Sequence, residues 1–137
     1  MSADLHVARA VATIAAGSPD YHVAIRTGGH ELSADEPAAN GGGDSGPSPF
    51  GLLLSGLVSC TAITLRMYAQ RKGWALDSIE VEARYDVAHD GTRTILRTIT
   101  LPAGLDEEAR TRLAAIAEKT PVTKAVRAGT PIATALK

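Results

Sequence analysis

Residues 48–73, SPFGLLLSGLVSCTAITLRMYAQRKG, restrict the possible folds of this 137-residue chain more than any other segment. The segment opens with Ser48 and a proline, a hydroxyl that can cap a helix and a residue whose fixed φ suits the first helical turn. It ends with the cations Arg71 and Lys72, which are favourable at the negative end of a helix dipole, and with Gly73, which can adopt the left-handed conformation that ends a helix. This pattern predicts one continuous helix.

The predicted helix is apolar on every side until its last turns. At about 1.5 Å of rise per residue it would be roughly 35 Å long, comparable to the diameter of a small domain. A helix without a polar face is buried, and a chain of this size can hardly cover such a helix alone. We therefore expect a long buried central helix and a partner subunit that helps to cover it. The apolar positions are Leu52, Leu53, Leu54, Leu57, Val58, Ile63, Leu65 and Met67.

Length and charge exclude several classes of protein. The 137 residues predict a single domain over residues 1–137. A net charge of −1, scattered basic residues and an aromatic content of 4% argue against binding of nucleic acid or of an anionic membrane. The first residues lack the pattern of a signal peptide, and the apolar runs are interrupted before they reach the length of a membrane span. We therefore predict a cytoplasmic protein.

Before the central helix the pattern predicts a small antiparallel meander. Residues 5–14 are predicted as an edge strand, although their alanines also tolerate a helix. Residues 21–27 alternate cleanly between apolar and polar side chains, as in a half-buried strand. Gly28 and Gly29 then form a two-residue hairpin turn, and residues 30–34 return as the next strand.

After the central helix the strands continue, with two further helices. Residues 78–87 and 92–101 predict a β-hairpin. Asp106 caps a second helix, and Thr120, followed by a proline, caps a short helical segment that ends at Val126. A last strand is predicted over residues 130–136. Strands with inserted helices and no βαβ repeat indicate an α+β fold with a mainly antiparallel sheet.

The glycine-rich residues 40–47 could in principle hold a phosphate, because glycines before a helix expose backbone N–H groups. The loop lacks the lysine of a phosphate-binding loop and carries Asp44 instead. We expect its glycines to allow close approach to the helix of a partner.

The four histidines share no metal-ligand spacing. We predict neither a metal nor a cofactor.

Cys60, the only cysteine, lies midway along the predicted helix. A single cysteine cannot form an internal disulfide, which fits a reducing compartment. A cysteine inside an apolar helix is more often inert packing than a nucleophile, because apolar surroundings disfavour the reactive thiolate. The residues alone leave both roles open.

From about residue 30 to its end the chain resembles the osmotically inducible protein C (OsmC) family, which includes the organic hydroperoxide resistance proteins. Four motifs carry the resemblance: Gly-Pro-Ser-Pro, Ser-Cys-Thr-Ala, Tyr-Ala-x-Arg-Lys-Gly-Trp and Ala-Glu-Lys-x-Pro-Val. The resemblance implies the OsmC-like fold, an intertwined homodimer with two central helices between shared sheets, and active sites at the dimer interface. It also implies that Cys60, which matches the first cysteine of peroxidatic members, attacks the peroxide.

The other positions that the resemblance implies differ in this chain. A second, resolving cysteine would stand at Thr120, and a supporting glutamate would stand at Gly51. The supporting arginine of many members would stand at Gly29, before a histidine, and Arg26 is the candidate that could replace it. The candidate site residues are therefore Cys60, Arg26 and Thr120.

Two functions fit these residues. The first is detoxification of organic hydroperoxides in an oxidative stress response, through one cysteine that an external thiol or dithiol reduces. The second is a non-enzymatic role, in which the dimer cleft binds a small apolar molecule or an electrophile. A homodimer is expected in both cases.

Overall fold

The computed structural model describes residues 4–137 and divides them into two compact units, one ending at Leu53 and one from Leu54 to Lys137. Strands and helices are both present, and all strand pairs are antiparallel within the described residues. The structure thus confirms the predicted α+β class with its long central helix. The assignment of residues 1–137 to one domain stays a prediction.

The first unit contains a three-stranded sheet in the order β1–β2–β3, which confirms the predicted meander. Its strands are β1 (Ala10–Thr13), β2 (Val23–Thr27) and β3 (His30–Ala34). Gly28 and Gly29, with φ of 56° and 79°, form the two-residue turn between β2 and β3. The strand predicted at residues 5–14 is shorter than expected and is limited to β1. Residues 4–9 lie outside any strand and are exposed, and Leu5 is 86% exposed.

The glycine-rich loop folds onto its own unit. A Cβ at Gly42 would collide with the carbonyl of Glu36, and one at Gly46 would lie 2.8 Å from the carbonyl oxygen of Ser33. Only glycine therefore permits this path of the backbone. Gly42 and Gly46 therefore serve close contacts with backbone of their own unit. The expected contact of this loop with a partner helix stays a prediction.

Helix α1 spans Pro49–Lys72, between the predicted end signals. The hydroxyl of Ser48 accepts a hydrogen bond of 3.1 Å from the N–H of Gly51. At the other end Gly73 has a φ of 70°, and the N–H of Trp74 donates to the carbonyl of Ala69 over 2.9 Å. This is the left-handed ending that the sequence predicted, and both caps are confirmed.

One side of α1 is buried within this chain. The buried residues recur every four positions, so they form a single stripe: Leu57, Thr61, Leu65 and Ala69. The apolar residues Leu53, Ile63 and Met67 are 43%, 57% and 52% exposed. The single chain thus covers only one stripe of this apolar helix, as the sequence analysis expected of a chain of this size. Burial of the remaining faces against a partner subunit stays a prediction.

By length and composition alone, α1 could also cross a membrane, with a mean hydropathy of 1.6 over 18 residues. The apolar run is thus less interrupted than the sequence analysis took it to be. A core helix of a soluble protein can have the same length and composition. Leu65 and Ala69 of α1 belong to the core cluster of the second unit.

The second unit packs a hairpin and two helices with α1. The hairpin consists of β4 (Glu80–Val87) and β5 (Arg93–Thr100), followed by α2 (Glu107–Ala117) and α3 (Pro121–Ala128). The core cluster is small and joins α1, the segment after it and α2: Leu65, Ala69, Leu76, Leu113 and Ala117. The hairpin and both helices confirm the sequence prediction.

The caps of α2 and α3 are also as predicted. Asp106 accepts a hydrogen bond of 2.8 Å from the N–H of Ala109, and Thr120 accepts one of 3.2 Å from the N–H of Thr123. The predicted last strand was wrong: residues 129–137 form no helix or strand, and Ile132 is 90% exposed. A strand needs a neighbour to pair its backbone with, and these residues pair with no strand among residues 4–137.

Candidate functional site

Cys60 lies on α1 beside its buried stripe, with Thr61 next in the chain. Its free thiol is half-buried. The neighbouring Ser59 and Gly56 are exposed, and apart from the adjacent residues and backbone of α1 itself no atom lies within 4 Å of the position that a Cβ at Gly56 would take. The small residues on this turn therefore leave open space next to the cysteine.

Arg97 on β5 connects three helices of the second unit. Its side chain is 12% exposed. Its Nη1 donates to the hydroxyl of Thr61 over 3.0 Å and to that of Thr123 over 2.8 Å, and its Nη2 donates to the carbonyl of Ala117 over 2.9 Å. Because Thr61 lies on α1, Ala117 ends α2 and Thr123 lies on α3, one planar guanidinium holds all three together.

Thr120 belongs to the same hydrogen-bonded network. It is fully buried, and its hydroxyl lies 2.7 Å from that of Thr123, which is also 3.3 Å from the carbonyl of Ala117. The hydroxyl of Thr61 in turn donates to the carbonyl of Leu57 over 2.7 Å. The structure therefore links Thr120 through Thr123 and Arg97 to the residue that follows Cys60. We call these four residues, Thr61, Arg97, Thr120 and Thr123, the Arg97 network.

Glu118 borders the Arg97 network from outside. Its carboxylate is paired with Arg127 and lies 3.6 Å from Nη2 of Arg97. The hydrogen bond from Arg127, together with the positive charges of Arg127 and Arg97, holds the pKa of Glu118 below its usual value. The two arginines therefore share one carboxylate that stays ionised at neutral pH.

Arg26 lies on β2 in the first unit, opposite Glu31 on β3, and its side chain is exposed. This is the polar face that the alternation predicted. Cys60 and Thr120 lie in the second unit. A role of Arg26 beside the thiol stays a prediction.

A Ser–His–Asp combination also occurs in the first unit, in an order that does not activate the serine. The hydroxyl of Ser45 donates to the carboxylate of Asp35 over 2.6 Å, and Nδ1 of His22 lies 2.8 Å from the same hydroxyl. In a catalytic triad the histidine stands between the other two and accepts the proton of the serine. Here the serine lies between the histidine and the aspartate. The cluster therefore fixes the glycine-rich loop, which contains Ser45, to Asp35 and His22.

The sequence analysis missed Arg97, although the pattern of β5 contained a signal for it. Ile95, Arg97 and Ile99 occupy alternate positions and share the half-buried face of the strand. A charged residue between two isoleucines on an inward face is costly to bury unless it is paired. Such a residue is therefore a candidate for a buried polar network.

Comparison with solved structures gives the same fold. OhrB, the organic hydroperoxide resistance protein of Bacillus subtilis, is 25% identical, with a TM-score of 0.61 over 90% of this chain and 93% of that one. An organic hydroperoxide resistance protein OsmC from Legionella pneumophila is 20% identical, with a TM-score of 0.65 over 91% and 92%. An OsmC-like protein from Mycoplasma pneumoniae is 17% identical, with a TM-score of 0.69 over 89% and 88%.

No curated protein matches the sequence. The sequence model of one family, described as "OsmC-like protein", matches residues 41–135. These residues are well over half of the chain and include α1, the β4–β5 hairpin and both later helices. The family match agrees with the fold of the three solved structures and with the resemblance in the four sequence motifs. This chain belongs to the OsmC-like protein family.

Proposed function

We propose that this protein reduces organic hydroperoxides through Cys60 alone, as part of an oxidative stress response in the cytoplasm. The observation that carries the proposal is the half-buried free thiol of Cys60 on the central helix of an OsmC-like chain, with small residues around it. Two of the structural relatives are described as organic hydroperoxide resistance proteins.

The chemistry requires three steps, one that oxidises Cys60 and two that reduce it again. The Cys60 thiolate attacks the distal oxygen of the hydroperoxide, so that an S–O bond forms, the O–O bond breaks and the alkoxide leaves as an alcohol after protonation. The cysteine becomes a sulfenic acid and the peroxide is reduced by two electrons. An external thiol then attacks the sulfur and releases water, and a second thiol, or the second sulfur of a dithiol, restores Cys60.

The resolving thiol must be external because Cys60 is the only cysteine of the sequence. Thr120, at the position of the family's second cysteine, carries a buried hydroxyl that is engaged within the Arg97 network. Its role is to cap α3. Arg26 is proposed as the cation that supports the thiolate, in place of the arginine that the resemblance implies at the position of Gly29.

We further propose that the functional form is a homodimer. The apolar residues that α1 exposes, including Leu53, Ile63 and Met67, would lose contact with water against a second copy of the helix. Burial of such a face favours a permanent interface, which typically exceeds about 2,000 Å² of total area. Sedimentation that shows a stable monomer at micromolar concentration would contradict this part of the proposal.

The alternative function is binding of a small apolar molecule or of an electrophile at the dimer cleft, without turnover. The small residues beside the thiol, Gly56 and Ser59, favour this alternative as well, because they leave room for a ligand. The two functions differ in what the thiol becomes. A binding protein keeps Cys60 reduced in the presence of hydroperoxide, or forms a stable adduct with an electrophile.

Mass spectrometry distinguishes the two functions. The protein is treated with an organic hydroperoxide and with dimedone, which traps sulfenic acids, and Cys60→Ser serves as the control. We expect a dimedone adduct on Cys60, and sulfinic acid at excess peroxide because no second sulfur intercepts the intermediate. The absence of both products in the folded protein would overturn the peroxidase function.

The variant Thr120→Cys tests the geometry of the family mechanism in this chain. A thiol at the start of α3 lies at the positive end of a helix dipole, which favours the thiolate. We expect an internal disulfide with Cys60 after one equivalent of hydroperoxide, and faster turnover with a dithiol reductant. A variant that stays without a disulfide would show that positions 60 and 120 do not meet as the resemblance implies.

A further inference from the structure

A cavity of about 540 Å³ opens in the second unit beside the Arg97 network. Residues from α1, from the β4–β5 hairpin and from α3 line it, and Cys60 is not among them. Its volume falls in the range of roughly 300–1,000 Å³ that is typical of small-molecule sites. The cavity is therefore large enough for a ligand and separate from the thiol.

The charges around this cavity are unbalanced. Arg93, Arg97 and Arg127 contribute three positive charges to its lining, and Glu118 contributes the single negative charge. Two positive charges are thus in excess. Clefts lined by one sign of charge concentrate ligands of the opposite sign, and guanidinium groups pair with carboxylates in a fixed two-pronged geometry.

Arg93 is the arginine of the cavity lining whose charge is not paired with a carboxylate among residues 4–137. Arg97 and Arg127 already lie against Glu118, whereas Arg93 has no ion pair among residues 4–137. Its Nη1 donates to the hydroxyl of Tyr85 over 3.3 Å, and its guanidinium lies 5.9 Å from the centre of the tyrosine ring. The tyrosine therefore orients a cation at the cavity without neutralising it.

The remaining lining includes an apolar part formed by Leu57, Ile95 and Val126. Only a ligand with an apolar body gains from contact with such side chains. The head group is best singly charged, because the carboxylate of Glu118 lies in the same lining and repels a dianion more strongly than a monoanion. From the excess of arginines and this apolar wall we infer that the cavity binds a small aliphatic carboxylate. This function does not depend on the thiol chemistry proposed above.

Isothermal titration with octanoate tests the inference, with octanol as the uncharged ligand of the same chain length and acetate as the anion without an apolar body. We expect saturable binding of octanoate, and binding of octanol and of acetate that is weaker by about tenfold or more. Binding should also weaken as salt is added, since the arginines are partly exposed. Equal binding of octanoate and octanol, or no octanoate binding at millimolar concentration, would overturn the inference.

Two matched variants place the site. Arg93→Gln removes the uncompensated cation and should weaken octanoate binding about tenfold. Arg84→Gln, on the neighbouring strand and outside the cavity, removes the same charge and should change the affinity by less than about twofold. If Arg93→Gln does not fold, Arg127→Gln on the exposed side of the cavity replaces it. Equal effects of the cavity variant and of Arg84→Gln would contradict the site.

Discussion

Each of the two units contains a buried polar cluster, and the two clusters are built in opposite ways. In the first unit the buried Asp35 accepts hydrogen bonds from the backbone of Glu36 and from the backbone and hydroxyl of Ser45. Its partners lie one and ten positions away, so the carboxylate closes a loop. In the second unit Arg97 donates to groups 36, 26 and 20 positions away.

The difference teaches how a buried charge can serve a fold. An acceptor that binds nearby N–H groups orders one segment and leaves the rest of the unit unaffected. A donor that joins three helices makes their packing interdependent, so its loss is felt in the whole unit. We therefore expect substitutions in the Arg97 network to destabilise the protein more than substitutions in the Asp35 cluster of the first unit.

The largest effect is expected from Arg97→Met. Three hydrogen bonds from a charged group are lost, and we expect the free energy of unfolding to fall by roughly 3 kcal/mol. Urea denaturation measures the change. The control Arg84→Met replaces an exposed arginine of the adjacent strand, where we expect less than about 0.5 kcal/mol. Equal urea midpoints for Arg97→Met and Arg84→Met would show that the Arg97 network contributes no more to stability than an exposed arginine does.

A smaller loss is expected from Thr120→Val, which keeps the shape of the side chain and removes its hydroxyl. The N–H of Thr123 then loses the cap of α3, at a cost of about 1–2 kcal/mol. Thr120→Ser retains the hydroxyl and should recover most of this loss in the same denaturation experiment. Similar stabilities of the serine and valine variants would mean that the hydroxyl contributes nothing to the second cluster.

Asp35→Asn tests the first cluster through its dependence on pH. The hydrogen bonds from the hydroxyl and the N–H of Ser45 hold the pKa of Asp35 below its usual value. A lowered pKa in the folded state contributes stability above the pKa of the unfolded state, and this contribution is lost as the pH falls through the folded value. We expect the variant to unfold at lower urea than the wild type at neutral pH, and the difference to shrink in acid.

Asp44→Asn is the matched control for that experiment, since it lies in the same loop. Asp44 is exposed and has a φ of 52°, a conformation that asparagine tolerates well. We expect its urea midpoint to follow the wild type at every pH. A difference between Asp35→Asn and wild type that stays constant between neutral and acidic pH would show that the charge of Asp35 has no part in the stability of the loop.

The smallest effect is expected at the start of α1. Gly51→Glu replaces a helical glycine and restores the acceptor of a capping box, which should stabilise the protein by up to about 1 kcal/mol. The new Cβ lies 3.2 Å from the hydroxyl of Ser48, which must shift slightly while it still caps the helix. Gly51→Ala, measured in parallel by thermal unfolding, separates the gain in helix propensity from the capping. A lower melting temperature for both variants would show that the close contact with Ser48 costs more stability than helix propensity and capping add.

The features that could be predicted from the sequence are those whose cause is local. Ser48, Gly73, Asp106 and Thr120 cap helices through neighbours within a few residues, and all four were identified correctly. The hairpin turn at Gly28 depends on two φ angles and was equally predictable.

The features that were missed depend on distant parts of the chain. Arg97 becomes a central donor only when three helices end around it. Gly42 and Gly46 reveal the backbone they approach only after the loop has folded back, and the strand expected at residues 130–136 requires a neighbour that no local pattern specifies. Cys60 was identifiable as a candidate because it is the single cysteine in a family motif.

The buried stripe of α1 has a consequence for the direction of the thiol. The apolar side chains of the stripe gain from burial without a directional requirement, whereas a hydrogen bond requires a defined geometry. Thr61 is the one polar residue of the stripe, and its bond to Arg97 gives the helix a preferred rotation. Each residue advances by about 100° around the axis, so the azimuth of Thr61 also sets that of Cys60. The hydrogen bond between Thr61 and Arg97 on the inner side of α1 thus helps to fix the direction in which the sulfur of Cys60 points from the neighbouring flank.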